Sequence, residues 1–126
     1  MAQEIKLTPK LFVGSPTDIG TSKERYDGFL MTNEEIIMEY KGNRDAALFT
    51  EKRLIIIDPQ GLRGKKVAIT SIPWKSVTAY SVENSGTFDL DAELKLCGSG
   101  FGICELEFSK GTDVKKINEF INSRIF

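Results

Sequence analysis

Three kinds of side chain in this sequence could do chemistry: two cysteines, a run of carboxylates and several short clusters of cations. Cys97 and Cys104 flank a glycine-rich turn and could face each other across a hairpin. Two thiols alone cannot complete a closed zinc site, which takes four His or Cys ligands. The sequence contains no histidine, so the commonest general base is missing, as are the Ser-His and Cys-His nucleophile pairs. The cysteines read as buried thiols. The chain reads as a non-enzyme with no cofactor and no metal.

The carboxylates Asp89, Asp91 and Glu93 sit in "FDLDAELKL", residues 88–96, where apolar and polar residues alternate. That is the period of a strand with one wet face. Side chains two apart on a strand stand about 7 Å apart and could share a cation. They could equally form a polar sheet face or meet basic residues of a neighbouring subunit. No glycine-bent loop converges their oxygens, so the metal reading is the weakest. "GSGFG", residues 98–102, misses the G-x-G-x-x-G spacing by one residue and precedes a strand. It reads as a hairpin turn, not a phosphate cradle.

The cations fall in three places. In "FTEKRLIIIDPQG", residues 49–61, Lys52 and Arg53 abut four unbroken aliphatics. The isoleucines require a strand to start there, and cationic stems can lie over its apolar end, so this pair leans to structure. Arg63, Lys65 and Lys66, with Lys75, form a better patch for an anionic ligand, since nearby glycines free backbone N–H groups. A solvated loop is the plainer alternative. Lys41 and Arg44 flank Gly42-Asn43, which reads as a two-residue turn too short to wrap a phosphorylated headgroup. Trp74, beside Pro73, is either core or a subunit contact.

The elements that must position these groups come from one domain's worth of chain, 126 residues, 40% hydrophobic and 28% charged. A net charge of -1 gives no overall pull toward nucleic acid and leaves membrane contact open to a local patch only. Neither a signal-peptide pattern nor an apolar run of spanning length is present, so the expected location is the cytoplasm. Residues 1–21 read as an arm or loop punctuated by Pro9, Gly14, Pro16 and Gly20, and residues 22–126 as a single domain.

Within that domain a short helix is expected over 22–30. Strands are expected over 34–41, 44–50, 52–58, 67–72, 76–84, 88–96 and 103–109. The strand at 52–58 should be covered on both faces, and Asp58-Pro59-Gln60-Gly61 should turn the chain. Val114, Ile117, Ile121 and Ile125 then fall at helical spacing behind Thr112 or Asp113 as cap. Seven antiparallel strands and one C-terminal amphipathic helix make a mainly β fold, a bent sheet or two packed sheets with the helix plugging an open end.

"LFTEKRLIIIDPQGLRGKKVAITSIPWKSVTAYSVEN" followed by "GTFDLDAELKL" resembles the signature of the bacterial pleckstrin-homology (PH) domain family, over about residues 34–126. The resemblance implies two near-orthogonal antiparallel sheets capped by a C-terminal helix. It also implies a protein-interaction module that forms ring-like homo-oligomers, pentamers prominent among them, and no defined molecular role. The first twenty or so residues depart from the family's usual lead, and Trp74 stands where tyrosine is more usual.

Overall fold

Strand formation begins where aliphatic and β-branched residues crowd together. The computed structural model describes residues 10–61, 65–84, 92–109 and 111–126. Four strands form an antiparallel meander: β2 (Ile36–Lys41), β3 (Ala46–Thr50), β4 (Arg53–Gln60) and β5 (Lys66–Pro73). Ahead of them in the chain lies β1 (Lys10–Thr17), and a second meander follows: β6 (Val77–Asn84), β7 (Ala92–Gly98) and β8 (Gly102–Phe108). A 3-10 turn, Trp74–Ser76, links β5 to β6. The fold is mainly β, an eight-stranded sheet with one C-terminal helix.

The expectation of burial on both faces holds for β4. Leu54 and Ile56 enter the main core, while Ile55 and Ile57 pack on the other side with Tyr26, Ile36, Ala46 and Leu48. Tyr26 comes from the short helix α1 (Lys23–Tyr26), expected over 22–30 but ended early. On β7 the alternation also holds. Ala92, Leu94 and Leu96 are buried, and Glu93 and Lys95 face outward.

Four local expectations are corrected. Residues 10–17 form β1 rather than an arm or loop, which makes eight strands instead of seven. Lys10–Gly14 runs parallel to β8 and Ser15–Thr17 antiparallel to β2, so β1 joins the two meanders. Gly14 sits where β1 changes partner, and a Cβ there would lie 2.6 Å from the Lys41 carbonyl oxygen. Its lack of a side chain therefore permits the crossing, where the sequence suggests only a break.

Asp58, Pro59 and Gln60 belong to β4, and the chain turns only at Gly61. β3 ends its pairing at Ile57, so Pro59 lies where β4 has a single neighbour and the missing N–H is tolerated. The expected two-residue turn at Gly42-Asn43 is a four-residue loop, closed by the Gly42 N–H donating to the Asp45 carbonyl. Finally, Cys104 pairs with Leu96 while Cys97 pairs with Ile103. Neighbouring registers point to opposite faces, so the two thiols do not face each other, and both are free.

The helix α2 (Val114–Ile125) starts where Asp113 Oδ1 accepts the Lys116 N–H at 3.1 Å. Its stripe buries Ile117 and Ile121 completely, and Phe120 packs edge-on against Trp74 and Phe49. A charge at that stripe has no partner and costs several kcal/mol, a large share of a typical domain's 5–15 kcal/mol. Ile117→Asp should therefore leave no folded, soluble protein by circular dichroism and size exclusion. A normally folded variant would place the helix elsewhere.

Candidate functional site

The Lys52-Arg53 pair divides between two roles. Arg53 turns inward to Glu34, whose side chain is fully buried. Its Nη2 reaches Glu34 Oε1 at 2.8 Å and its Nε reaches Oε2 at 2.9 Å, a two-pronged ion pair. The same guanidinium donates to the Phe29 carbonyl and to Ser71 Oγ, both at 2.9 Å. Glu34 also accepts from Thr50 Oγ1 at 2.7 Å and from the Met31 N–H at 2.9 Å. Thr50 in turn receives the N–H groups of Lys52 and Arg53, and its carbonyl takes the Trp74 indole N–H at 2.8 Å. Arg53 is thus structural, as its sequence context suggests.

One end of the sheet is organised around this network. A cleft of about 510 Å³ opens there, with Met31, Pro73 and Trp74 as its apolar lining and Lys52, Lys75 and Arg124 as its cations. Trp74 is 2% exposed and stacks in the core against Phe49 and Phe120, so what it offers outward is a floor. Lys52 and Lys75 are exposed, and their ammonium groups have no partner among the described residues.

The structure sets Lys75 apart from the other members of the basic patch that it describes. Lys65 and Lys66 are exposed at the start of β5, whereas Lys75 lies beyond its far end. Eight strand residues separate them by roughly 25 Å. Lys75 joins Lys52 and Arg124 instead. Arg63 lies outside the described residues, as do Asp89 and Asp91. Glu93 is described: it stands opposite Glu83 on one side and Glu107 on the other, a row of carboxylates across three strands. Lys95 pairs with Glu93 at 3.3 Å and Lys10 with Glu107 at 2.7 Å. Among the described residues no group of three His, Cys, Asp or Glu side chains could hold a metal ion. No helix among them is long and apolar enough to cross a membrane.

Sequence reasoning missed Glu34, and Glu39 with it. Glu39 is buried on β2 and accepts the N–H groups of Gly20 and Ser22 at 2.9 and 2.7 Å. Both carboxylates tie down the segment ahead of β2, and neither has a local sequence signal. For Cys104, burial pushes the thiol up to about 11, which suits an inert core residue.

The Arg53 hydrogen bonds hold the Glu34 carboxyl down at about 2, against 4.5 when unfolded, although burial opposes them. The folded-state value lies below the unfolded one, so the pair stabilises fully above about pH 4.5 and loses this as pH falls toward 2. The linked stability is on the order of 3 kcal/mol. Urea melts of the wild type should weaken across that window. In Glu34→Gln the protein should be less stable at pH 7, and the weakening across that window should be markedly smaller. An unchanged acid slope would show that another carboxylate governs it.

Residues 9–125 match the bacterial PH domain family, so the match starts one residue ahead of β1 and takes in more than half of the first twenty residues, which were expected to depart from it. A DUF1696 family protein with a pleckstrin-homology domain from Shewanella loihica PV-4 superposes with a TM-score of 0.78 at 39% identity, covering 90% of this chain and 97% of that one. A pleckstrin homology domain from Shewanella amazonensis SB2B gives 0.66 at 44% identity, covering 87% and 90%. Uncharacterized protein YjqA of Bacillus subtilis (strain 168) is 42% identical over 90 residues, 70% of this chain and 72% of its own length. This chain belongs to the bacterial PH domain family.

Proposed function

We propose that this chain is a non-catalytic PH-like interaction module that assembles with its own copies into a closed ring in the cytoplasm. The observation that carries this reading is the pair of open sheet edges. β5 and β6 end the strand order and, among the described residues, pair on one side only. No proline stands inside β6, and β5 carries one only at its last position, Pro73. Unpaired edges of this kind invite another strand, and a heterologous contact repeated around a ring leaves none exposed.

Charge supports the same reading. Like charges opposite one another on adjacent strands repel; Lys95 and Lys10 offset part of the row Glu83, Glu93 and Glu107, and cations supplied by a neighbour would offset more of it. Lys65 and Lys66, exposed at the opposite reach of the sheet, are of the right sign. The pentamer as the favoured size rests on the family resemblance. A second reading, an anionic ligand or membrane headgroup at residues 63–66, is supported by the exposure of the same two lysines.

Size exclusion with light scattering near neutral pH should give a mass several times the 14.1 kDa chain. A clean monomer at micromolar concentration would defeat the ring and favour the ligand reading. Salt-sensitive flotation with anionic vesicles, lost in Arg63→Ala/Lys65→Ala/Lys66→Ala, would then establish it.

A further inference from the structure

We propose that the cleft over Trp74 docks a short acidic segment of another protein, with one apolar side chain seated between Lys52 and Lys75. The site lies at the far end of β5 from Lys65 and Lys66, and the proposal does not rest on ring assembly.

Three observations converge on this end of the molecule. First, large apolar side chains are left in water on a pinned loop: Phe29 is 56% exposed and Met31 48%. The Phe29 carbonyl is held by Arg53 and the Met31 N–H by Glu34, so the loop is preorganised. Exposed apolar groups on a fixed backbone mark contact surfaces better than scattered ones do. Second, the cleft that Met31 lines holds about 510 Å³, within the range of roughly 300–1,000 Å³ typical of ligand sites.

Third, the cations around it are available. The Lys52 backbone is fixed on both sides, its N–H to Thr50 Oγ1 and its carbonyl to the Trp74 N–H, yet its ammonium has no partner among the described residues. Lys75 stands likewise on the 3-10 turn. Arg124 lies over the Phe120 ring at 5.8 Å, donating from Nη1 to the Glu51 carbonyl and from Nε to Ser123 Oγ, which leaves Nη2 for a ligand. Glu51 is the carboxylate in this lining, and it is engaged by the Glu35 N–H.

The chemistry of the occupant follows. A bare phosphate would satisfy the cations but leave the apolar floor wet. A bilayer would meet a recessed floor it cannot fill. An extended peptide with an aliphatic or aromatic anchor among acidic residues uses both features, and charge complementarity sets its sign.

The test uses the full-length protein and an array of blocked hexapeptides, each placing one Leu, Ile or Phe among Asp and Glu. Matched arrays replace the acids with Lys or the apolar residue with Gly. Trp74 is the chain's lone tryptophan, so its fluorescence reports occupancy. Acidic peptides with an apolar anchor should bind and perturb Trp74, and raising salt should weaken them. Lys52→Ala/Lys75→Ala, a surface change outside the hydrogen-bond network, should weaken binding by about tenfold. Lys65→Ala/Lys66→Ala should leave it unchanged.

Equal binding of the glycine-substituted array would remove the apolar anchor and overturn the proposal. So would affinity indifferent to Lys52→Ala/Lys75→Ala, or binding of phosphatidylglycerol vesicles in place of any peptide. A fall in oligomer mass on adding peptide would assign the cleft to a second copy of the chain and overturn an external partner.

Discussion

Burying β4 on both faces is the constraint from which the rest of this fold follows. Leu54 and Ile56 are covered by the main core, but Ile55 and Ile57 point the other way. Each of those two contributes roughly 1.5–3 kcal/mol only if something excludes water from it. Among the described residues no second layer of helices does so. The cover is the segment ahead of β2, which brings Tyr26 and Leu30 over the outer face. A segment with a single four-residue helix has little stability of its own. It must be tied down.

Two buried carboxylates do the tying. Glu39 takes the N–H groups of Gly20 and Ser22 at the front of the cover, and Glu34 takes the Met31 N–H at its rear. Burying a carboxylate is costly unless it is paired and fully hydrogen-bonded. Glu34 meets that demand with Arg53 and Thr50. The net energy of such a pair is modest, since desolvation offsets much of the attraction. Its larger effect is positional: one guanidinium fixes the cover loop, the start of β4 and Ser71 on β5 at once.

The parts of this architecture legible in the sequence are those written in local periodicity. Unbroken aliphatics announced a strand buried on both sides, strict alternation announced β7, and helical spacing with an Asp cap announced α2. What escaped is non-local. β1 carries Gly14 and Pro16, residues that locally suggest a break, and only its two partners make it a strand. The Glu34–Arg53 pair spans nineteen positions, and nothing near either residue signals the other. The same holds for the candidate site. Trp74 and Lys75 were visible as single residues, but their association with Lys52 and Arg124 depends on the β5–β6 link passing beside the β3–β4 turn.

That dependence separates two layers of the cleft. The Trp74 indole rests on the Thr50 carbonyl, and the Thr50 hydroxyl rests on Glu34, so the floor is built from the network that secures the cover loop. Lys52 and Lys75 project from this frame without supporting it. Changes at Glu34, Thr50 or Arg53 must therefore couple stability to cleft shape, because the same hydrogen bonds serve both. Changes at the two lysines alter charge alone. The fold can keep its foundation while the rim varies, and so a common PH-like scaffold is free to present different surfaces to different partners.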